Sequence, residues 1–121
     1  AESYTFATTL SLLHHDVLAQ NLENEGSIEG QTTWRVLAET ERPFKIFVHA
    51  VDEQGNILAQ WDGLSVEPTS WRVGDLFLQN YRLNLPPGQS PAKMLIGVYD
   101  GETLARFREP YQIVWPPVAQ P

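Results

Sequence analysis

Trp61, Trp71 and Tyr99 are aromatic residues that are each followed directly by a charged residue. The flat C–H face of a sugar can stack on an indole or phenol ring while a polar neighbour binds its hydroxyl groups. The sequence therefore predicts a saccharide platform, for which packing of the same rings in the core is the alternative. The candidate ligand-binding residues are Trp61, Asp62, Trp71, Arg72, Tyr99 and Asp100.

His49 is the seventh candidate, because it lies inside the apolar run from Phe44 to Val51. We interpret it as a sugar-contacting or pH-sensitive residue, and a half-buried histidine with a hydrogen-bond partner is the alternative. Asp52 follows three residues later, outside the alternation of a strand. The sequence places no nucleophile or acid next to this ring, so it does not predict catalysis by His49.

Two segments carry residue types that bind metal ions, but neither has the spacing of a known site. In a strand, the adjacent His14 and His15 point to opposite faces, so only one of them could join Asp16 at a zinc ion; we expect a surface or loop position for them. The turn 52–56 lacks the alternating ligands and closing glutamate of a calcium loop. With no cysteine in the chain, thiolate sites and disulfides are excluded. We predict no metal and no cofactor.

The sequence carries no motif that predicts an enzyme. It has neither a Gly-x-Ser-x-Gly elbow nor a glycine loop for phosphate. Fifteen acidic residues could supply the carboxylate pair of a glycoside hydrolase, but so many carboxylates make the signal unspecific. A small glycan hydrolase stays an alternative, and it would need two converging carboxylates in a cleft and a raised pKa.

Hairpin patterns recur along the chain and predict an all-β fold. Two apolar runs flank the turn from Asp52 to Asn56, and further alternating segments are separated by turn residues every 8 to 12 positions. We predict a single antiparallel β-sandwich of about eight strands, jelly-roll or immunoglobulin-like, with a closed barrel as the alternative. The sandwich is expected over residues 1–115, followed by a proline-rich tail over 116–121. Trp71 lies in an irregular crossing, where we expect it to plug one end of the core.

The charge argues against a nucleic-acid partner, and the apolar runs are too short for a membrane-spanning helix. The formal charge is −7 and the basic residues are scattered, so a nucleic-acid backbone would be repelled. No apolar run approaches the roughly 20 residues of a membrane-spanning helix. The chain does not begin with methionine, and we expect it to be a piece of a longer protein or a mature domain after signal cleavage.

The order and spacing of many residues between Tyr4 and Phe107 form a recognisable pattern. Its most specific part runs from Phe47 to Gly63 and continues with Pro68-Thr69 and Trp71; the rest comprises Trp34, Gly74, Tyr81, Leu83, Pro86, Gly88, Gly97, Tyr99-Asp100 and Arg106. In this pattern the chain resembles the β-sandwich domain at the carboxyl end of bacterial multi-spanning membrane proteins that are similar to protein-mannosyltransferases. It departs from the pattern at Ala50, where a large aliphatic residue is expected, and at the short turn 101–103.

The resemblance implies a location and a neighbour rather than a reaction. It implies a non-catalytic extracytoplasmic module, periplasmic or at the cell surface, beside the transmembrane domain of a glycosyltransferase-like protein. It carries no catalytic residues onto this chain. We expect weak glycan binding as the accessory role, and a spacer or protein-interaction domain is the alternative. The sequence does not indicate an oligomeric state.

Overall fold

Eight strands form two four-stranded antiparallel sheets in the computed structural model, which describes residues 3–117. The strands are β1 (Tyr4–Phe6), β2 (Leu10–Asn21), β3 (Ser27–Val36), β4 (Phe44–Val51), β5 (Ile57–Gly63), β6 (Leu76–Asn84), β7 (Lys93–Asp100) and β8 (Tyr111–Val114). A single 3₁₀ turn, Pro68–Ser70, lies in the crossing between β5 and β6. The predicted fold class, an antiparallel β-sandwich of about eight strands, is confirmed.

The strand order decides between the two predicted topologies. Sheet A has the order β1-β2-β3-β6 and sheet B the order β5-β4-β7-β8. If the short β1 is set aside, the three strands of sheet A face the four strands of sheet B. In sheet B, β5 lies outside β4, at the position of the additional edge strand of immunoglobulin-like domains. The sandwich is therefore immunoglobulin-like, and neither the jelly-roll nor the closed barrel is formed.

The core follows from the alternation in β4 and β7. Every second side chain of β4, from Phe44 to Ala50, is buried between the sheets, and Met94, Ile96 and Val98 of β7 lie beside them. Sheet A contributes Trp34 and further buried residues to the same cluster. These residues bury the apolar area that stabilises the sandwich.

The segment around His14 lies within β2 rather than in a loop, and the expected surface position is confirmed for His14 and Asp16, whereas His15 is half-buried. Irregularities at Leu12/His14 and Val17/Ala19 interrupt the pairing of β2 with β3. His14 is on the surface, where its Nε2 lies 3.0 Å from Asp16 Oδ1. His15 turns the other way, toward Tyr81, so the prediction that the two rings point to opposite faces is confirmed.

Of the proline-rich tail expected over 116–121, residues 118–121 lie outside the described residues, as do residues 1 and 2. Within residues 3–117, no helix has the length and apolar character needed to cross a bilayer.

Candidate functional site

Trp71 does not lie on a platform with Trp61. Its side chain is 1% exposed, its ring stands edge-on to Phe44 at 5.6 Å and stacks on Phe77 at 5.8 Å, and its Nε1 donates a hydrogen bond to the carbonyl of Val66. The expectation that Trp71 plugs the core is confirmed. The prediction that the ring stacks on a sugar is wrong, because no ligand can reach a ring enclosed in this way.

Arg72 and Asp100 each make polar contacts of their own elsewhere on the domain. Arg72 is exposed and its Nη1 is 3.8 Å from Glu39 Oε1. The Asp100 carboxylate is buried and accepts hydrogen bonds from the backbone amides of Glu102 and Thr103. These two amides, followed by the Arg42 guanidinium, hold the pKa of Asp100 below its usual value. Asp100 therefore stabilises the turn after β7.

Three of the predicted residues, His49, Asp62 and Tyr99, come together on the outer face of sheet B. Phe47 and His49 alternate with the core residues of β4, so they point away from the core. The register places Asp62 of β5 and Gly97 of β7 on either side of Phe47. Three of the predicted residues are therefore neighbours, and they are joined by Phe47 and Arg106, which the sequence did not indicate as site residues.

This outer cluster, defined by Phe47, His49, Asp62, Tyr99 and Arg106, is tightly packed. Phe47 is 2% exposed and lies on Gly97, where an added Cβ would come within 2.2 Å of its ring. The Arg106 guanidinium covers the same ring at 4.6 Å, and the His49 ring is 4.6 Å from it. The Phe47 ring is therefore not free to stack on a ligand.

The charges of the outer cluster act on two titratable groups. Burial lowers the pKa of His49; the Asp62 carboxylate acts in the opposite direction, and Arg106 in the same direction as burial. Burial, and then the neighbouring Asp62, raises the pKa of the Tyr99 phenol. His49 is thus held as the neutral imidazole near pH 7, so it can both donate and accept hydrogen bonds.

Trp61 lies on β5 and forms one wall of a cleft of about 350 Å³. The ring packs over Gly63, whose missing side chain leaves room for it, and is 6.5 Å from the ring of Tyr81. Trp61 itself is half-buried. The cleft is lined by Leu18, Glu29, Gly30, Trp61, Asn80, Tyr81 and Arg82. Its volume is at the lower end of the roughly 300 to 1,000 Å³ that small-molecule sites occupy.

The floor of the cleft depends on a glycine and a half-buried histidine. A Cβ on Gly30 would lie 2.2 Å from the Tyr81 ring, so only glycine lets this ring lie flat across β3. The hydroxyl of Tyr81 is hydrogen-bonded to Nε2 of His15, and the two rings stack at 5.8 Å. Burial lowers the pKa of His15 to about 4 and raises that of Tyr81. The phenol is therefore the donor and the neutral imidazole the acceptor.

The rim of the cleft is polar. Arg82 Nη1 donates to Glu29 Oε1 at 2.9 Å across the β3–β6 pair. Asn80 accepts a hydrogen bond at its Oδ1 from Gln31 Nε2 at 2.9 Å. An amide, a carboxylate and a guanidinium thus surround two aromatic rings, which is the composition that binds a polar ligand with a flat apolar face.

In the turn 52–56, which also carries carboxylates, Asp52 is hydrogen-bonded to the backbone of the turn itself. Asp52 Oδ1 accepts hydrogen bonds from the amides of Gln54 and Asn56, and these amides, Asn56 first, lower the pKa of Asp52. Across residues 3–117, no three histidine, cysteine, aspartate or glutamate side chains are grouped closely enough to hold a metal ion.

No family model matches the chain, and no curated protein matches it. Among solved structures, the fold is similar to part of a β-glucuronidase from glycoside hydrolase family 2, with a TM-score of 0.55 and 13% sequence identity. The similar region covers 82% of this chain and 10% of that much longer protein. At this identity the similarity establishes the fold, an antiparallel β-sandwich, which agrees with the strand order described above.

Proposed function

We propose that this domain is a non-catalytic module that binds a saccharide weakly in the cleft beside Trp61. The observation that carries the proposal is the half-exposed indole of Trp61, which lies beside the polar groups of Glu29 and Asn80 in the same concave surface. A pyranose ring on the indole would place its equatorial hydroxyl groups toward that rim. The β-glucuronidase with a similar sandwich is itself a carbohydrate-active protein, which is compatible with the proposal.

The affinity follows from the shape of the cleft. A site that is open to solvent leaves most of a sugar hydrated, and ordering the ligand costs several kcal/mol. We therefore expect a Kd in the millimolar to micromolar range. This range suits an accessory module that keeps a glycan near another domain.

The carboxylates support a non-catalytic role. Among the residues that line the cleft, Glu29 is the single carboxylate, and it is paired with Arg82. Hydrolysis of a glycoside requires two carboxyl groups about 5 to 10 Å apart on either side of the bond, one of them with a raised pKa. The aspartates with a perturbed pKa, Asp52 and Asp100, are both shifted downward.

The cellular setting is part of the same proposal and rests on the resemblance. We place the domain outside the cytoplasm, as a module of a longer membrane protein similar to glycosyltransferases, whose transmembrane domain is its neighbour. Detection of the domain by an external protease in intact cells or spheroplasts tests this location. Protection from the protease until the membrane is broken would contradict it.

The test of saccharide binding compares the domain with Trp61→Ala on a glycan array, followed by titration of the best ligand. We expect the wild-type domain to bind and Trp61→Ala to lose at least tenfold in affinity, because stacking on the ring supplies most of the contact area. Leu78→Ala is the matched control, since this leucine is exposed on β6 and does not line the cleft.

Circular dichroism separates a binding defect from unfolding. Asn80→Ala, at an exposed rim position, gives a second readout if Trp61→Ala is unstable. If the folded wild-type domain binds no glycan at millimolar concentration, or if both variants bind as well as it does, the proposal is wrong.

A protein-interaction role is the second candidate, and one surface favours it. Leu76 and Leu78 of β6 are 58% and 55% exposed, and Val73 just before this strand is 66% exposed. Exposed apolar side chains on an edge strand are typical of interaction surfaces. A double variant, Leu76→Ser with Leu78→Ser, would weaken binding to the neighbouring domain of the parent chain but leave glycan binding intact.

A further inference from the structure

We infer that the cleft beside Trp61 selects neutral sugars and rejects acidic ones such as uronates. The inference rests on the proposed function, because it names the class of ligand for the same cleft. It follows from the contacts of Arg82, the single basic residue among those that line the cleft.

Two nitrogens of the Arg82 guanidinium donate hydrogen bonds, and the third faces a carboxylate at ion-pair distance. Nη1 donates to Glu29 Oε1 at 2.9 Å, Nε donates to Asn84 Oδ1 at 3.2 Å, and Nη2 is 3.7 Å from Glu25 Oε2. A carboxylate ligand is bound best when an arginine offers two parallel N–H groups to it. Both Nη atoms of Arg82 already face glutamates, so an acidic sugar that bound them would compete with Glu29 or Glu25 for this charge.

The charge around the rim is negative. Glu25 and Glu29 together carry two negative charges against the single positive charge of Arg82, and the whole chain has a formal charge of −7. A sugar carboxylate at the rim would therefore be repelled by the nearest uncompensated charge and by the domain as a whole. The repulsion acts across solvent and is weakened by salt.

A neutral sugar meets groups that suit hydroxyls. The side-chain oxygen of Asn80 accepts a hydrogen bond from Gln31, and this orientation leaves the amide N–H groups as donors. Glu29 uses one oxygen toward Arg82 and keeps acceptor capacity on the other. A hydroxyl group both donates and accepts, so it fits this pair without disturbing the ion pairs.

The experiment compares matched methyl glycosides that differ only in having a hydroxymethyl group or a carboxylate at C6, in the gluco, galacto and manno configurations. Binding to the folded domain is followed by NMR chemical-shift titration at low and high salt. For the configuration that binds best, we expect the uronide to bind about fivefold more weakly at low salt, as expected for one exposed like-charge interaction. The ratio should shrink at high salt.

Glu29→Gln removes one negative charge but keeps a side chain of the same size. We expect this variant to reduce the discrimination to less than about twofold, because the positive charge of Arg82 is then no longer offset by a carboxylate in the cleft. Glu25→Gln is the second variant, at a residue that pairs with Arg82 without lining the cleft. Glu102→Gln, an exposed glutamate outside the cleft, is the charge-matched control and should discriminate as the wild type does.

The outcomes separate this inference from the proposed function. A uronide that binds as tightly as its neutral partner, or more tightly, would overturn the inference and leave the saccharide site standing. Discrimination that survives both glutamine variants would overturn the role of the Glu25–Arg82–Glu29 group. If no glycoside of either kind shifts the resonances of Trp61 and Tyr81, the proposed function fails, and the inference fails with it.

Discussion

Lowering the pH should destabilise the domain through one residue, His15. Its ring accepts a hydrogen bond from Tyr81 and stacks on the phenol under the Trp61 cleft. Protonation of His15 would place a hydrogen on both partners of this bond, and burial disfavours the charged ring. Burial is the largest cause of the lowered pKa of His15, which falls from 6.5 to about 4 in the folded domain, and the Asp16 carboxylate opposes it.

The size and sign of the effect follow from the two pKa values. Above pH 6.5 the ring is neutral in both states and the pH has no effect through this group. Between pH 6.5 and about 4 the unfolded chain takes up the proton and the folded domain does not, so the unfolded state is favoured as the pH falls. The difference between the pKa of His15 in the unfolded chain and its pKa in the folded domain corresponds to a loss of roughly 3 kcal/mol in the free energy of unfolding.

Urea denaturation at a series of pH values between 7 and 4 measures this loss. His15→Gln removes the titrating ring, and we expect its unfolding free energy to fall by about 3 kcal/mol less than that of the wild type over the same range. His14→Gln, at the exposed neighbouring position, is the control and should follow the wild type. The lowered pKa of His49 contributes in the same direction and is common to all three proteins. Parallel curves for His15→Gln and the wild type would refute the reasoning.

Two further predictions concern stability. Trp71→Ala should cost about 3 to 5 kcal/mol because it removes a ring that is 1% exposed in the core; a loss below about 1 kcal/mol in chemical denaturation would contradict that role. Leu104→Asn should raise the free energy of unfolding by up to about 1 kcal/mol, because Leu104 has a φ of +65° and is 70% exposed, and asparagine tolerates this left-handed backbone better. A lower thermal midpoint for Leu104→Asn would contradict it.

The sequence predicted the strands whose alternation is regular. The two apolar runs that flank the turn from Asp52 to Asn56 were expected as paired strands and are β4 and β5, which pair with each other, since their apolar residues agree with the turn between them. The long β2 was not predicted as a single strand, because the irregularities at Leu12/His14 and Val17/Ala19 shift the alternation twice. A period of two cannot be recognised across such shifts.

The candidate site was predictable only in part. An aromatic residue beside a charged one describes Trp61 and Trp71 equally well, yet one ring lies in a cleft and the other in the core. Burial depends on which sheet covers the ring, and this is a property of the tertiary structure. The rim of the cleft was missed because Glu29 and Arg82 meet only through the β3–β6 pairing, which joins residues 53 positions apart.

The contacts of Tyr4 bear on how the domain folds. Its hydroxyl donates to the carbonyl of Glu109 at 2.8 Å, and the Arg108 guanidinium lies 3.7 Å from the centre of its ring and donates to the carbonyl of Thr5. These contacts join β1 to the segment before β8, across more than 100 residues. Chain-entropy cost grows with the length of the loop that a contact closes. The contacts between the two ends of the sandwich are therefore of the long-range kind that favours slow folding.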